Sequence, residues 1–565
     1  MDAPDTGVVR SYDFTVARGT VAPDGFEKTT LLINGQFPGV RLRYQSPMIE
    51  ANWGDTIQVT VNNKIENPEE GTTLHWHGLM QQNSQWEDGV PAVSQCPIAP
   101  GGSFTYSFRA TPHGSTWYHS HYSSQYAGGL WGPLVIYGPE TSSHDIDVGP
   151  VLLTDYFHRD YFDIVKDIEG TDLSKARPVS DNNLINGKMN FDCSSNTLGG
   201  TCVNDAGLSK FNFTSGKSHR LRLVNAGVQG IQKFSIDNHT MTVIANDFIQ
   251  VDPYNVTVVT LGVGQRTDVI VQGTGHSGDV YWMRSLLAQG ACTEPANQPL
   301  ALAAIYYQNA NTSASPNPKT SIAQTDTTDP CTNDGMAVPA YAIPVADPST
   351  TINMAVNVSV NATGHLIWTV NESSFRGNYN NPLLLLTKNG NDSYPFDPEW
   401  NVYNVGSNQT IRVVVENQSP TSHPWHLHGH EMQVLSSGDG PWDGSITNAN
   451  NPQRRDVQIL PAYGHNVFQW SSDNPGVWPF HCHIAWHISG GLYANILERP
   501  NDIKNLAIPS SSSDLCKSWA TYTGANVVDQ IDSGLKVRGV ANGPKLVDLD
   551  IIGMKKREHA RQGTV

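Results

Sequence analysis

Residues 478–492 read WPFHCHIAWHISGGL and place His481, Cys482, His483 and His487 within seven consecutive positions. The stretch reads as a strand running into a turn. Side chains two apart on a strand share a face, so His481 and His483 project to one side and Cys482 to the other. A single strand then serves two separate places where a soft metal could sit.

The spacing recurs along the chain. His-x-His occurs at His75/His77 in HWHG, His119/His121 in WYHSHYSSQYAGGLWG, His426/His428 and His428/His430 in HPWHLHGHEMQV, and His481/His483. Twenty histidines scattered over 565 positions would give about 0.7 such pairs by chance. A lone histidine is ordinarily a surface residue or a hydrogen-bonded core residue, but clusters of this density need another explanation. Zinc takes about four ligands per structural site and would leave most of these histidines unused. Copper accounts for more of them, because imidazole and thiolate both suit it and a trigonal His₂Cys arrangement with a weak or missing axial ligand is the blue-copper site. Cys482 and His487 lie across a turn from one another, and His423 is available to complete that set. An electron arriving at Cys482 then has a backbone path to either flanking imidazole, and so to a second copper cluster.

Composition restricts the partners. The 565 residues carry a net charge of −17 with 38% hydrophobic and 15% charged residues, and the sequence pI is near 5.5. Nucleic acid and anionic membrane surfaces would be repelled, whereas neutral or cationic small molecules would not. The longest aliphatic run, Leu383–Leu386, is far short of the ~20 residues that span a bilayer, so no membrane association is expected. The opening MDAPDTGVVR lacks a charged segment followed by an apolar one, so a secretory signal is expected to have been removed or never to have existed. Seven cysteines leave one thiol over from any set of disulfides, and Cys482 sits among the histidines. Asn-x-Ser/Thr sequons begin at Asn212, Asn238, Asn255, Asn311, Asn357, Asn361, Asn371, Asn391, Asn408 and Asn417. Together these features lead us to expect a secreted, extracellular glycoprotein.

Short alternating runs such as DTIQVTVNN, SFTYSFRA, HRLRLVNAG and QTIRVVVENQ, bounded by Gly, Pro, Asn or Asp, predict antiparallel sandwiches. Composition shifts near residues 139–148 and across QNANTSASPNPKTSIAQTDTTDPCTNDG. The expected division is 1–142, 143–325 and 345–510, followed by a tail at 511–565. HWHG in the first part and HLHGH in the third are weak echoes of one another.

With these motifs in order, the chain resembles the multicopper oxidases, and among them the ascomycete-type laccases, over essentially its whole length. The resemblance implies an all-β fold of three cupredoxin-like Greek-key sandwiches. It also implies four copper ions: one type 1, one type 2 and two type 3. His423, Cys482 and His487 match the type 1 ligands, with Leu492 at the axial position as a non-ligand. His75 and His426 match the type 2 ligands, and His77, His119, His121, His428, His481 and His483 match those of the type 3 pair. The resemblance also implies that the type 1 copper lies in the third domain, the trinuclear site between the first and third, and a wall of the substrate pocket in the second. His430 matches no ligand and reads as a structural hydrogen-bonder. The resemblance further pairs Cys96 with Cys516 and Cys292 with Cys331, which leaves Cys193 with Cys202.

The activity implied is one-electron oxidation of small phenols and aromatic amines coupled to four-electron reduction of O₂ to water, by a protein expected to be monomeric. His487 would pass electrons inward through an exposed edge. Asp88 of WEDGV matches an acid that delivers protons near the cluster, its alternative being an Asp in a turn before Gly. Asp205 matches an acid that takes the phenol proton, with Asp192 as competitor and a solvated loop carboxylate as the alternative. A ferroxidase or a bilirubin-oxidase-like enzyme would share every ligand, but the first often carries a membrane anchor and the second a Met where this chain has Leu492. A non-catalytic copper-binding cupredoxin protein would be expected to have lost ligands. Finally, DSGL at residues 532–535 matches the processing site of these laccases, so cleavage after Leu535 is expected, with the new carboxylate plugging a channel toward the cluster.

Overall fold

The computed structural model describes residues 3–38, 47–288, 290–292, 295–320, 322–326, 331–333, 335–392 and 398–523, together with the backbone of 545–546. The DSGL segment and the expected cleavage after Leu535 lie outside the described residues.

Alternation in the sequence becomes alternation of burial. Thr56–Asn63 and Ser103–Arg109 bury every second side chain, as expected of strands with one face on a core and one toward solvent. Six sheets result, in three face-to-face pairs. Sheets of four and four strands draw on Val9–Tyr137, sheets of six and five on Ile146–Tyr307, and sheets of seven and five on Thr350–Glu498, the seventh strand of the larger being Lys545–Leu546, which pairs with the end of Thr350–Val360. The expected all-β class of three Greek-key sandwiches therefore holds.

The connectivity repeats. In each sandwich the long first strand lies parallel to a later one: Val9–Val21 beside Thr56–Asn63, Ile146–Tyr156 beside Ser218–Asn225, and Thr350–Val360 beside Thr410–Asn417. A second parallel pair closes the other sheet each time. The histidine motifs occupy equivalent places in the first and third units: His75 pairs with His119 across one antiparallel ladder, and His426 with His481 across the other. The corresponding strands of the second unit, Gln232–Ile236 and Val280–Leu287, carry no histidine.

His423–Leu427 and Gly476–Cys482 are buried at every position, on both faces. One face looks into the sandwich and the other toward the first domain. A single apolar cluster, from Phe14 to Leu515 and including Trp76, Trp117, Trp425 and Trp478, runs continuously through the first and third sandwiches and takes in second-domain residues such as Phe157, Ile164, Val228 and Phe248 where they pack against it, while the interior of the second sandwich forms a separate core. The histidine strands are therefore held at a seam between two units that behave as one packed body.

Disulfides join Cys96 to Cys516, Cys193 to Cys202 and Cys292 to Cys331, leaving Cys482 as the buried free thiol. The helix Ser510–Thr523 buries only Ser512, Leu515 and Trp519, and Trp519 packs near Tyr122 and Tyr379 of the body. So small an apolar anchor makes its docking depend on the cross-link. Replacing Cys96 and Cys516 together by Ala is expected to lower stability by about 2–4 kcal/mol and to open residues 505–523 to protease. An unchanged thermal midpoint with unchanged protection would contradict this.

Candidate metal centres

The strand Gly476–Cys482 ends at the cysteine, and the chain turns at His483–Ile484 into the short helix Ala485–Ser489, which returns His487 toward the cysteine. His423, at the start of the neighbouring strand, comes in from the side. His423 Nδ1 and His487 Nδ1 lie 3.1 Å apart, and each is 3.6 Å from Cys482 Sγ. A point in the plane of these three atoms lies about 2.0 Å from each, close to a metal–imidazole bond length. Ser419 Oγ lies 2.8 Å from His423 Nε2 and fixes the ring with Nδ1 turned inward. Asn417 Oδ1 holds that serine, accepting from its N–H and its hydroxyl. Ile484 N–H points at Sγ from 3.4 Å, while burial pushes the Cys482 thiol well up, so ionisation requires a bound cation. Leu492 is fully buried, and its carbonyl accepts the Cys482 N–H across the ladder, which puts it opposite the cysteine. His487 is only 5% exposed and lies against Trp368, at 4.2 Å between ring centres, so little of its edge reaches solvent.

On the other side of the strand the remaining motifs converge. His75 Nδ1–H donates to the Asp88 carbonyl at 2.8 Å, His119 Nδ1–H to the Ser120 carbonyl at 3.0 Å and His426 Nδ1–H to the Asp456 carbonyl at 2.8 Å. His428 Nδ1–H donates to Asp88 Oδ2 at 3.0 Å, His481 Nδ1–H to the Cys482 carbonyl at 2.7 Å and His77 Nε2–H to Asp456 Oδ1 at 3.2 Å. Carbonyls and carboxylates bring no proton, so each of these rings spends its one N–H outward and turns a lone pair inward.

Those lone pairs meet. His428 Nε2 and His481 Nε2 are 3.0 Å apart, and His77 Nδ1 and His483 Nε2 are 3.2 Å apart. The Nε2 atoms of His75, His119, His121 and His426 are buried with no hydrogen-bond partner among the described residues. Burial first, and then repulsion among the rings, holds His77, His119, His121, His426, His428 and His483 well below the usual histidine range, and burial brings His481 down to about 3. Neutral imidazoles with facing lone pairs repel one another, and desolvated nitrogens without partners are costly. Cations between them remove both penalties, and the donor set fits a multinuclear metal site.

Two buried carboxylates hold the outer side. Asp88 ends a short 3₁₀ turn and touches both His75 and His428, so it is a turn residue and a cluster neighbour at once. Asp456 serves His77 through its side chain and His426 through its carbonyl. Sequence reasoning passed over Asp456, although two arginines and an aspartate opening the apolar run RRDVQIL were an available signal. It also read Ser419 only as the end of a sequon.

Asp205 is exposed on a loop whose neighbour Val203 donates its N–H to the Gly25 carbonyl at 2.9 Å. Asp192 is exposed too and caps a 3₁₀ turn by accepting the Ser194 N–H at 3.0 Å. No hydrogen bond or ion pair joins either to His487 among the described residues. His430 is buried, with Nδ1–H donating to the His428 carbonyl at 3.1 Å and Nε2 lying 3.3 Å from Glu498, outside both centres.

Comparison with known proteins agrees with this geometry. Family profiles described as multicopper oxidase match residues 15–141, 147–310 and 367–502. Laccase-2 of Botryotinia fuckeliana is 38% identical over 94% of this chain and 89% of its own length. The dihydrogeodin oxidase of Aspergillus terreus is 34% identical over 94% and 91%. Among solved structures, the laccase from Botrytis aclada superposes with a TM-score of 0.82 at 35% identity, covering 94% of each chain. With three matching domains in order and fungal laccases similar along nearly the whole length, this chain belongs to the multicopper oxidase family as a laccase of the ascomycete type.

Proposed function

We propose that the protein oxidises small phenols and aromatic amines one electron at a time and reduces O₂ to water, with four copper ions held by the residues above. His423, Cys482 and His487 hold the type 1 ion, His75 and His426 the type 2 ion, and His77, His119, His121, His428, His481 and His483 the type 3 pair. Bound there, copper supplies single-electron acceptance at the His₂Cys site and O₂ reduction at the cluster.

The observation that carries this reading is the junction at Cys482. Its side chain faces one centre, and its two covalent neighbours face the other. The Cys482 carbonyl also accepts the His481 Nδ1–H at 2.7 Å, so a hydrogen bond runs beside the covalent path. A zinc structural site or a storage protein has no use for two centres joined through one residue. Proton delivery toward reduced oxygen is assigned to Asp88, and its full burial against rings of both the type 2 and type 3 sets supports this role. Organic substrates are favoured over Fe²⁺ or bilirubin by the laccases and the dihydrogeodin oxidase among the relatives, and Leu492 in place of Met speaks further against bilirubin.

Secretion as a monomeric glycoprotein is part of the same proposal. It is supported by the three disulfides and by exposed sequon residues Asn212, Asn238, Asn255, Asn311 and Asn371. Asn417 is excluded as an acceptor: it is buried, and its Nδ2 donates to the carbonyls of Thr421 and Pro461 at 2.8 Å each.

Three measurements test the reading. Cys482→Ser is expected to abolish the intense visible absorption and turnover while most cluster copper stays bound; a blue, active variant would refute the assignment. Leu492→Met is expected to lower the type 1 reduction potential, because a sulfur donor stabilises Cu(II) relative to Cu(I), and a redox titration showing no change or a rise would remove Leu492 from the axial position. Asp205→Asn is expected to depress phenol turnover far more than oxidation of a non-phenolic one-electron donor, since only phenols shed a proton. Equal losses on both donors would count against Asp205 and direct the same test to Asp192.

A further inference from the structure

The second sandwich supplies none of the ten histidines, yet one of its turns reaches the cluster. Residues 261–266, LGVGQR, connect the strands Val258–Leu261 and Arg266–Gln272 and are buried throughout. Gly264 sits at φ +87°, and a Cβ there would come within 2.9 Å of His483 Cδ2 and 3.0 Å of His77 Cε1. Only glycine combines that backbone conformation with so close an approach. Gln265 Nε2 donates to the Val457 carbonyl at 2.8 Å.

Arg266, fully buried, forms two parallel hydrogen bonds to Asp456, Nη1 to Oδ1 and Nη2 to Oδ2, each 2.6 Å. Its Nε donates to the Ser115 carbonyl of the first domain at 3.3 Å. Asp247, also of the second domain, accepts from the Arg455 guanidinium at 3.1 Å and from the Asp456 and Val457 N–H groups at 3.2 and 3.3 Å. Asp456 is thereby fixed at both ends, with its carboxylate oriented by Arg266 and its backbone by Asp247. That carboxylate orients His77, and that backbone carbonyl orients His426.

We propose that Arg266 is a positioning residue of the trinuclear centre and that the Gly264–Arg266 turn is a keystone: docking of the second domain is what sets His77 and His426 to receive metal. The inference rests on the copper assignment above. A bidentate guanidinium fixes a carboxylate plane, whereas a lysine supplies charge at a single point. Arg266→Lys therefore keeps the ion pair but releases the orientation. Gly264→Ala acts independently, by pushing on His77 and His483.

The test uses the full-length protein loaded with copper and dialysed against a weak chelator. It reads copper per chain, the visible absorption of the Cys482 site, and the thermal midpoint of the copper-free form. Both variants are expected to keep the absorption, with the copper-free midpoint unchanged in Arg266→Lys and only modestly lowered in Gly264→Ala by its left-handed backbone, while cluster affinity falls by about 10–100-fold, as for other outer partners of metal-bound histidines. Copper per chain then drops from about four toward one. Wild-type copper content in Arg266→Lys would overturn the proposal. So would loss of the Cys482 absorption in proportion to cluster copper, or a collapsed copper-free midpoint, because either marks a general failure to fold. A wild-type protein that itself retains only one copper would contradict the four-copper assignment, and this proposal with it.

Discussion

Imidazole nitrogens stripped of water, with their protons committed outward and their lone pairs 3.0–3.2 Å apart, cannot rest against each other without a cation between them. Much else in this molecule follows from that requirement. The rings must be neutral, which burial ensures. Their outward N–H groups must find acceptors with no proton of their own, and Asp88, Asp456, Ser120 and Cys482 provide these from carboxylates and main-chain carbonyls. The strands carrying them must be enclosed on both faces, which a single sandwich cannot achieve and the seam between the first and third does.

The same requirement accounts for the division of labour among three similar folds. The first and third share one continuous core, against which part of the second also packs, and face each other with equivalent ladders. The second has its own core and no histidine in the corresponding strands, but it closes the seam from a third side through Gly264, Gln265 and Arg266. A metal centre shared between domains makes their relative placement part of the coordination chemistry.

The sequence disclosed the features that depend on local periodicity. Alternating runs predicted the sandwiches, and His-x-His spacing predicted shared faces, because a two-residue period on a strand leaves no freedom in where the side chains point. Cysteine parity left one thiol over, and His423, Cys482 and His487 do meet. What stayed hidden depends on long-range contact. Arg266 and Asp456 are 190 residues apart, and nothing local to either announces the other. Ser419 read as glycosylation chemistry because a three-residue motif does not record burial. Asp205 remains the opposite case: the resemblance names it, while the fold sets it in solvent on a loop whose contacts lead to Gly25.

The most direct test of the central claim is anomalous X-ray scattering at the copper edge from crystals of the copper-loaded protein. The account predicts one peak among His423 Nδ1, Cys482 Sγ and His487 Nδ1, and three more among the inward nitrogens of His75, His77, His119, His121, His426, His428, His481 and His483. Peaks at the first site alone, or a histidine pocket filled only by ordered water, would contradict it.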